Sequence, residues 1–168
     1  MKHLKRYFIR AKDAIRLYQS LPESLAQALV DKLPIIKKQS MEKVEAENFE
    51  IYIIGSNPLI FKMSEKFFPT LIFEDALIKL PKVVVDQGAV PYICRGADVM
   101  RPGIVKILGN FQSNSLVTVV DEKHYKPFAV GLSLYPTEEI MKMGSGKVIK
   151  NVHYIGDKVW RIIQNIKT

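Results

Sequence analysis

Residues 83–103 read VVVDQGAVPYICRGADVMRPG, and the reading of this stretch decides the fold. An aliphatic run ends at Asp86, after which Gly88, Gly96 and Gly103, with Pro91 among them, interrupt what would otherwise be an ordinary amphipathic segment. Lys82 to Val85 read as a strand. Asp86 can cap the element that follows, because its carboxylate accepts hydrogen bonds from the free amides of a helix start. The spacing predicts a helix from there to about Arg95. A glycine in a first turn costs roughly 1 kcal/mol against alanine, and a proline beyond that turn forfeits a helical hydrogen bond, so helix stability explains neither Gly88 nor Pro91.

The glycines admit two uses. In one, Gly96 closes the helix and Gly103 turns the chain into the next strand, with Gly88 incidental. In the other, bare backbone amides and a helix start offer a surface on which a nucleic-acid backbone can rest, with Arg95 and Arg101 pairing phosphates beside it.

Working outward, the chain before this stretch changes period. Leu21, Leu25, Ala28, Leu29 and Leu33 recur at helical spacing, Pro22 and Glu23 suit a first turn, and Pro34 stops the run. From Val44, VEAENFEIYIIGSNPLIFKMS alternates and is cut at Gly55 to Pro58, which predicts two or three antiparallel strands. A short helix is expected after Pro69, ending at Pro81. Beyond the glycines, SLVTVVDEKHYKPFAVGLSLY reads as two alternating strands around a polar loop at Asp121 to Lys126. Pro136 opens a short helix, Glu138 and Glu139 favour the positive end of its dipole, and Gly144 closes it. Two further strands are expected, at about Lys147 to Tyr154 and Lys158 to Ile163. Many short strands with small helices predict an α+β protein whose C-terminal half is a mixed β-barrel, with domains at residues 1–80 and 81–168.

Composition narrows the chemistry. Of 168 residues, 48% are hydrophobic and 25% charged, the balance of a globular chain rather than a disordered one. The net charge of +8 points to phosphate, in nucleic acid or at a membrane surface, or serves solubility alone. Residues 81–168 hold 12 basic against 7 acidic residues, and residues 1–80 hold 13 against 10, so the C-terminal half carries more of the surplus. Residues 1–16 nevertheless place six Lys or Arg beside one Asp, around Tyr7 and Phe8. These rings and Tyr18 could stack on bases, but Phe8, Ile9, Ile15 and Leu17 also read as core. The single cysteine, Cys94, excludes an intramolecular disulfide and a CxxC metal motif, and it fits a reducing, cytoplasmic setting. No apolar stretch suits a signal peptide or a membrane span.

Catalytic patterns are lacking. His3, His124 and His153 are scattered without a second ligand at metal spacing, so no metal or other cofactor is expected. There is no GxSxG elbow, and Cys94 sits on the apolar side of the expected helix. GSGK at Gly144 to Lys147 fails as a phosphate loop, since Val148 follows the lysine and Met141 stands where the first glycine belongs.

The stretch VVVDQGAVPYICRGADVMRPGIV resembles the opening of a PUA domain, the RNA-binding module of pseudouridine synthases and archaeosine transglycosylases. That module runs strand, acid, Gly-Ala helix and a Gly-Ala-x-x-Met/Leu-x-x-Gly loop. FAVGLSLYPTEEI and HYIGDKVW are similar to its closing strands, so the resemblance covers about residues 81–163. Upstream, FEIYIIGSNPLIFKMSEKFFPTLIFEDALIKLP resembles the pre-PUA domain of the malignant T-cell-amplified family of translation factors, relatives of ligatin, above all at FFPTL. An archaeal-type member of that family is expected. The resemblance implies RNA contacts at Gly88, Ala89, Arg95, Gly96, Ala97, Met100, Arg101, Pro102 and Gly103; apart from it, the Lys106 charge is expected to offer a further phosphate contact. Pro91 and Tyr92 depart from the module's usual small or charged residues. What the resemblance implies for function is a non-catalytic binder of structured RNA, tRNA or rRNA, acting on the small ribosomal subunit beside a partner such as density-regulated protein. The alternatives are an accessory to an RNA-modifying enzyme and a protein-interaction scaffold.

Overall fold

The structure, a computed structural model, describes residues 4–32 and 40–167. The described residues up to Lys79, with those from Ile163 onward, form one compact unit, and Leu80–Ile162 form the other. Leu33, Pro34 and His3 lie outside the described residues.

In the first unit, β1 (Lys5–Phe8), β2 (Met41–Glu45), β3 (Glu50–Ile54), β4 (Asn57–Met63) and β5 (Lys66–Pro69) form an antiparallel sheet in chain order. Register accounts for the alternation in the sequence. Val44, Ile51, Phe61 and Phe68 occupy one row across four strands and are all buried, and the rings of Phe61 and Phe68 stack 5.3 Å apart. Each such aliphatic or aromatic side chain contributes about 1.5–3 kcal/mol on full burial. The chain then adds α1 (Ala11–Ser20), α2 (Glu23–Lys32) and α3 (Glu74–Lys79). Leu25, Ala28 and Leu29 are the buried stripe of α2, at the spacing expected of them. One expectation fails here. Phe8 and Ile15 are exposed rather than core, and Leu17 is the buried member of that group. Strand β1 lies at the sheet edge, as charged strands commonly do, and its residues are exposed.

The second unit holds β6 (Lys82–Val85), α4 (Val90–Ile93), β7 (Val99–Met100), β8 (Ile104–Leu108), β9 (Leu116–Asp121), β10 (Pro127–Ser133), α5 (Thr137–Lys142) and β11 (Lys147–Tyr154). Its sheet runs β7-β11-β10-β9-β6-β8, antiparallel except for the β6–β9 pair. The two edge strands, β7 and β8, are separated in sequence only by the single tight turn Arg101–Gly103. From Met100 to Ile104 the chain spans at most about 14 Å, so the sheet has to curl until its edges meet. That curl makes a half-barrel, and Arg101–Gly103 is its closing link. Strands β9 and β10 are buried along almost their whole length, because both lie inside the sheet; they do not alternate as the sequence reading expected. Val83, Val85, Ile93, Val99, Ile140 and Ile149 are among the residues that fill the core.

Three local readings are corrected. Helix α4 has four residues instead of running on to Arg95. Helix α5 ends at Met143 in extended backbone, and the positive φ after it belongs to Gly146, not Gly144. Residues 158–163 are not a strand but open α6 (Lys158–Lys167). Asp157 starts that helix: its carboxylate accepts from the Trp160 amide at 2.7 Å and from the Tyr154 amide at 3.0 Å, and it pairs with Nδ1 of buried His153 at 2.8 Å. Val159, Ile162 and Ile163 then recur at helical spacing and are buried.

Candidate nucleic-acid interface

The interface is built from the end of β6 onward. The Asp86 amide donates to the Gly103 carbonyl at 2.9 Å, and Asp86 Oδ1 accepts from the Ala89 amide at 2.8 Å. The acid thus caps the turn into α4, as the sequence indicates. Because α4 begins only at Val90, Pro91 falls in its first turn, where no amide is needed, so the proline imposes no loss on the helix. Ile93 is the buried residue that anchors this short helix to the core.

The helix is closed by a doubly bonded glycine turn. The Gly96 amide donates to the Ile93 carbonyl at 3.0 Å and the Ala97 amide to the Tyr92 carbonyl at 3.1 Å, with Gly96 at φ +99°. A Cβ on Gly96 would stand 3.2 Å from the Tyr154 hydroxyl. Strand β11 holds the turn from below. Asn151 Nδ2 donates to the carbonyls of Ile93 and Ala97, each at 2.9 Å, and the Asn151 amide donates to Asp98 Oδ1 at 2.7 Å. Asp98 also pairs with Lys147 at 2.8 Å. Burial alone would raise the Asp98 carboxyl, but the Lys147 ammonium and the Asn151 amide outweigh it and hold it below the usual carboxylate range.

The closing link is held as firmly. The Arg101 amide donates to the Gly146 carbonyl at 2.8 Å, its Nε to the Ile140 carbonyl at 2.8 Å and its Nη1 to the Ile104 carbonyl at 3.3 Å. A Cβ on Gly103 would meet that of Ala89 at 3.2 Å, which is why the Gly-Ala pair and the final glycine face each other. Gly88 differs from both. Its backbone needs no positive φ, and an added Cβ would meet only Asp86 Oδ1 at an ordinary 3.4 Å.

Of the expected site residues, Ala89, Arg101 and Gly103 lie at the closing link, where Asp86 bonds the Ala89 amide and the Gly103 carbonyl, while Arg95, Gly96 and Ala97 belong to the turn above β11. Gly88, Arg95, Gly96, Ala97, Met100, Pro102 and Lys106 are exposed, and Ala89, Arg101 and Gly103 are half-buried. Exposed Tyr92 and Val105 add apolar surface to the stretch. The Gly88 end carries opposing charge: Gln87 bonds Asp121 and Glu122, each at 3.3 Å, so carboxylates flank it. A phosphate is accordingly favoured toward Arg95, whose guanidinium has no ion pair among the described residues. Sequence reasoning missed Asn151, Asp98 and Tyr154. Asn151 and Tyr154 sit far along the chain on β11, and the β7–β11 pairing brings them under the turn beside Asp98, which follows Ala97 directly.

Residues 81–155 match the family described as PUA domain, and residues 5–79 match a domain of unknown function, DUF1947. The chain is 40% identical over 161 residues to an uncharacterised protein of Methanocaldococcus jannaschii, covering 95% of this chain and 98% of that protein. It is 26% identical to translation machinery-associated protein 20 of Eremothecium gossypii, over 84% of this chain and 87% of the relative. Malignant T-cell-amplified sequence 1-B of Xenopus laevis is 27% identical, with 89% and 91% covered. With a DUF1947 region followed by a half-barrel PUA domain, the chain belongs to the same PUA-domain family as the Methanocaldococcus jannaschii protein, and the malignant T-cell-amplified and translation machinery-associated proteins are its homologues over most of its length.

Proposed function

We propose that this protein binds structured RNA, tRNA or ribosomal RNA, without catalysing a reaction on it, and acts in translation on the small ribosomal subunit beside a second factor. The observation that carries the reading is the fixed turn at Ile93–Ala97: its backbone is held by its own amides and by Asn151, and it presents Arg95, which makes no ion pair among the described residues. A phosphate-binding group on preorganised backbone loses little freedom on binding. The PUA match supports RNA as the ligand, and the names of the relatives support translation as the setting. In this reading the turn and the Arg101–Gly103 link lie along an A-form stem or RNA end, Arg95 and Lys106 neutralise phosphates, and Gly88, Ala89, Met100 and Pro102 let the strand approach. Phosphate contacts of this kind supply affinity and carry little sequence information.

Arg95→Ala tests it better than Arg101→Ala, because Arg101 also braces Ile104 and Ile140. Fluorescence anisotropy with several labelled stem-loops should show Arg95→Ala weakening all of them alike and lowering the slope of log Kd against log salt by about one. Equal affinity and an unchanged slope remove Arg95 from the interface.

A further inference from the structure

The first unit contains a cavity of about 530 Å³ that shares no residue with the surface above. Its floor follows from sheet register. Tyr7 pairs with Lys43 across β1 and β2, and Lys43 with Tyr52 across β2 and β3, so the three side chains share one row of one face. Tyr52 meets Phe67 ring to ring at 6.1 Å and 52°. The Lys43 ammonium lies 5.5 Å from the centre of the Tyr7 ring, and that of Lys62 lies 5.6 Å from the centre of the Phe67 ring. Both ammonium groups are committed to carboxylates, Lys43 to Glu45 and Glu50 at 2.8 and 3.0 Å and Lys62 to Glu65 at 2.9 Å. They hold the rings in place and do not reach for a ligand.

The mouth is different. Phe8 stands 70% exposed, and Arg10 and Arg16 line the same cavity. Among the described residues these two guanidinium groups share a single carboxylate, Asp13, at 3.1 and 4.0 Å, and their side chains are 85% and 66% exposed. One positive charge and most of the guanidinium N–H donors therefore remain for a ligand. Aromatic faces beside guanidinium groups are the chemistry that holds single-stranded nucleic acid, the rings taking bases and the cations taking the backbone. The volume is that of a small-ligand site.

We propose that this cavity receives one unstacked nucleotide of a single-stranded RNA segment, with its base against Phe8 at the mouth and its phosphate at Arg10 and Arg16. A peptide adding a strand to the free edge of β1 would use main-chain hydrogen bonds and leave the ring-lined cavity empty. The proposal needs neither the Gly88–Gly103 surface nor the RNA bound there.

The test is a titration of the isotopically labelled full chain with hexauridylate, followed through backbone amide signals, for the native sequence and for Phe8→Ala, Arg16→Ala and Arg95→Ala. Amides of β1 and α1 should move, Phe8→Ala should weaken the binding about tenfold, and Arg16→Ala should weaken it severalfold. Phe8 is exposed on an edge strand, so its loss leaves the remaining signals in place and the result readable. Arg95→Ala should leave hexauridylate binding unchanged while lowering stem-loop affinity, which separates this site from the other surface. Unmoved β1 and α1 amides, or an affinity indifferent to Phe8→Ala, would overturn the proposal. Capture of a protein through β1 with no response to RNA would overturn it as well.

Discussion

At the scale of single residues, the three glycines that open the second unit do three different things. Gly96 is required by its φ of +99° and by the Tyr154 hydroxyl, and Gly103 by the Ala89 methyl, whereas nothing in the fold requires Gly88 to be bare. Forcing an L side chain into left-handed backbone costs roughly 1–2 kcal/mol. Gly96→Ala should therefore lower stability by about that amount in chemical denaturation. Gly88→Ala should shift it by less than about 0.5 kcal/mol, as exposed substitutions do. The same Gly88→Ala chain should bind stem-loop RNA several-fold more weakly, since the added methyl stands where the strand approaches. Unchanged RNA affinity would take Gly88 out of the interface. The sequence alone shows that a glycine is unusual. Whether backbone geometry or a ligand demands it depends on φ and on neighbours such as Tyr154, 58 positions along the chain from Gly96.

At the scale of elements, β11 is the support of the interface, and its tie to the turn is acidic. Asp98, the residue before β7, bonds Asn151 and Lys147, and its carboxyl is held below its ordinary value of 3.8. A depressed folded value means that the stabilisation is complete above about pH 4, the unfolded value, and is lost as pH falls through the lower folded one. Thermal unfolding of the native chain and of Asp98→Asn should thus differ most near neutral pH and converge in acid. A gap that stays constant down to pH 3 would show that the carboxylate contributes no charge interaction. Strand β6, the strands β9 and β10 around their polar turn, and α5 were all legible in the sequence because local pattern specifies them. The length of α4 was not, because Asp86 caps a turn before the helix rather than the helix itself. Helix α6 was misread because Val159, Ile162 and Ile163 sit in a short window where strand and helix spacing overlap, and only the Asp157 cap decides between them. The parallel β6–β9 pairing was hidden for another reason: it is a contact between distant segments, and no local pattern encodes it.

At the scale of the whole molecule, a charge of +8 is shared between two units of different chemistry. The second unit presents a backbone turn and isolated cations suited to the regular phosphates of a stem. The first presents rings and guanidinium groups suited to an unpaired nucleotide. The half-barrel explains why the proposed stem surface lies where it does: three residues, Arg101–Gly103, join the sheet edges, and the chain on either side of them is the proposed interface. Amide chemical-shift mapping of the full-length chain with a stem-loop RNA tests this most directly. The largest shifts are expected at Gly88, Ala89, Arg95, Gly96, Ala97, Met100, Arg101, Gly103 and Lys106. Saturable binding that leaves these amides unmoved, with the shifts elsewhere in the chain, would contradict the assignment of the RNA surface.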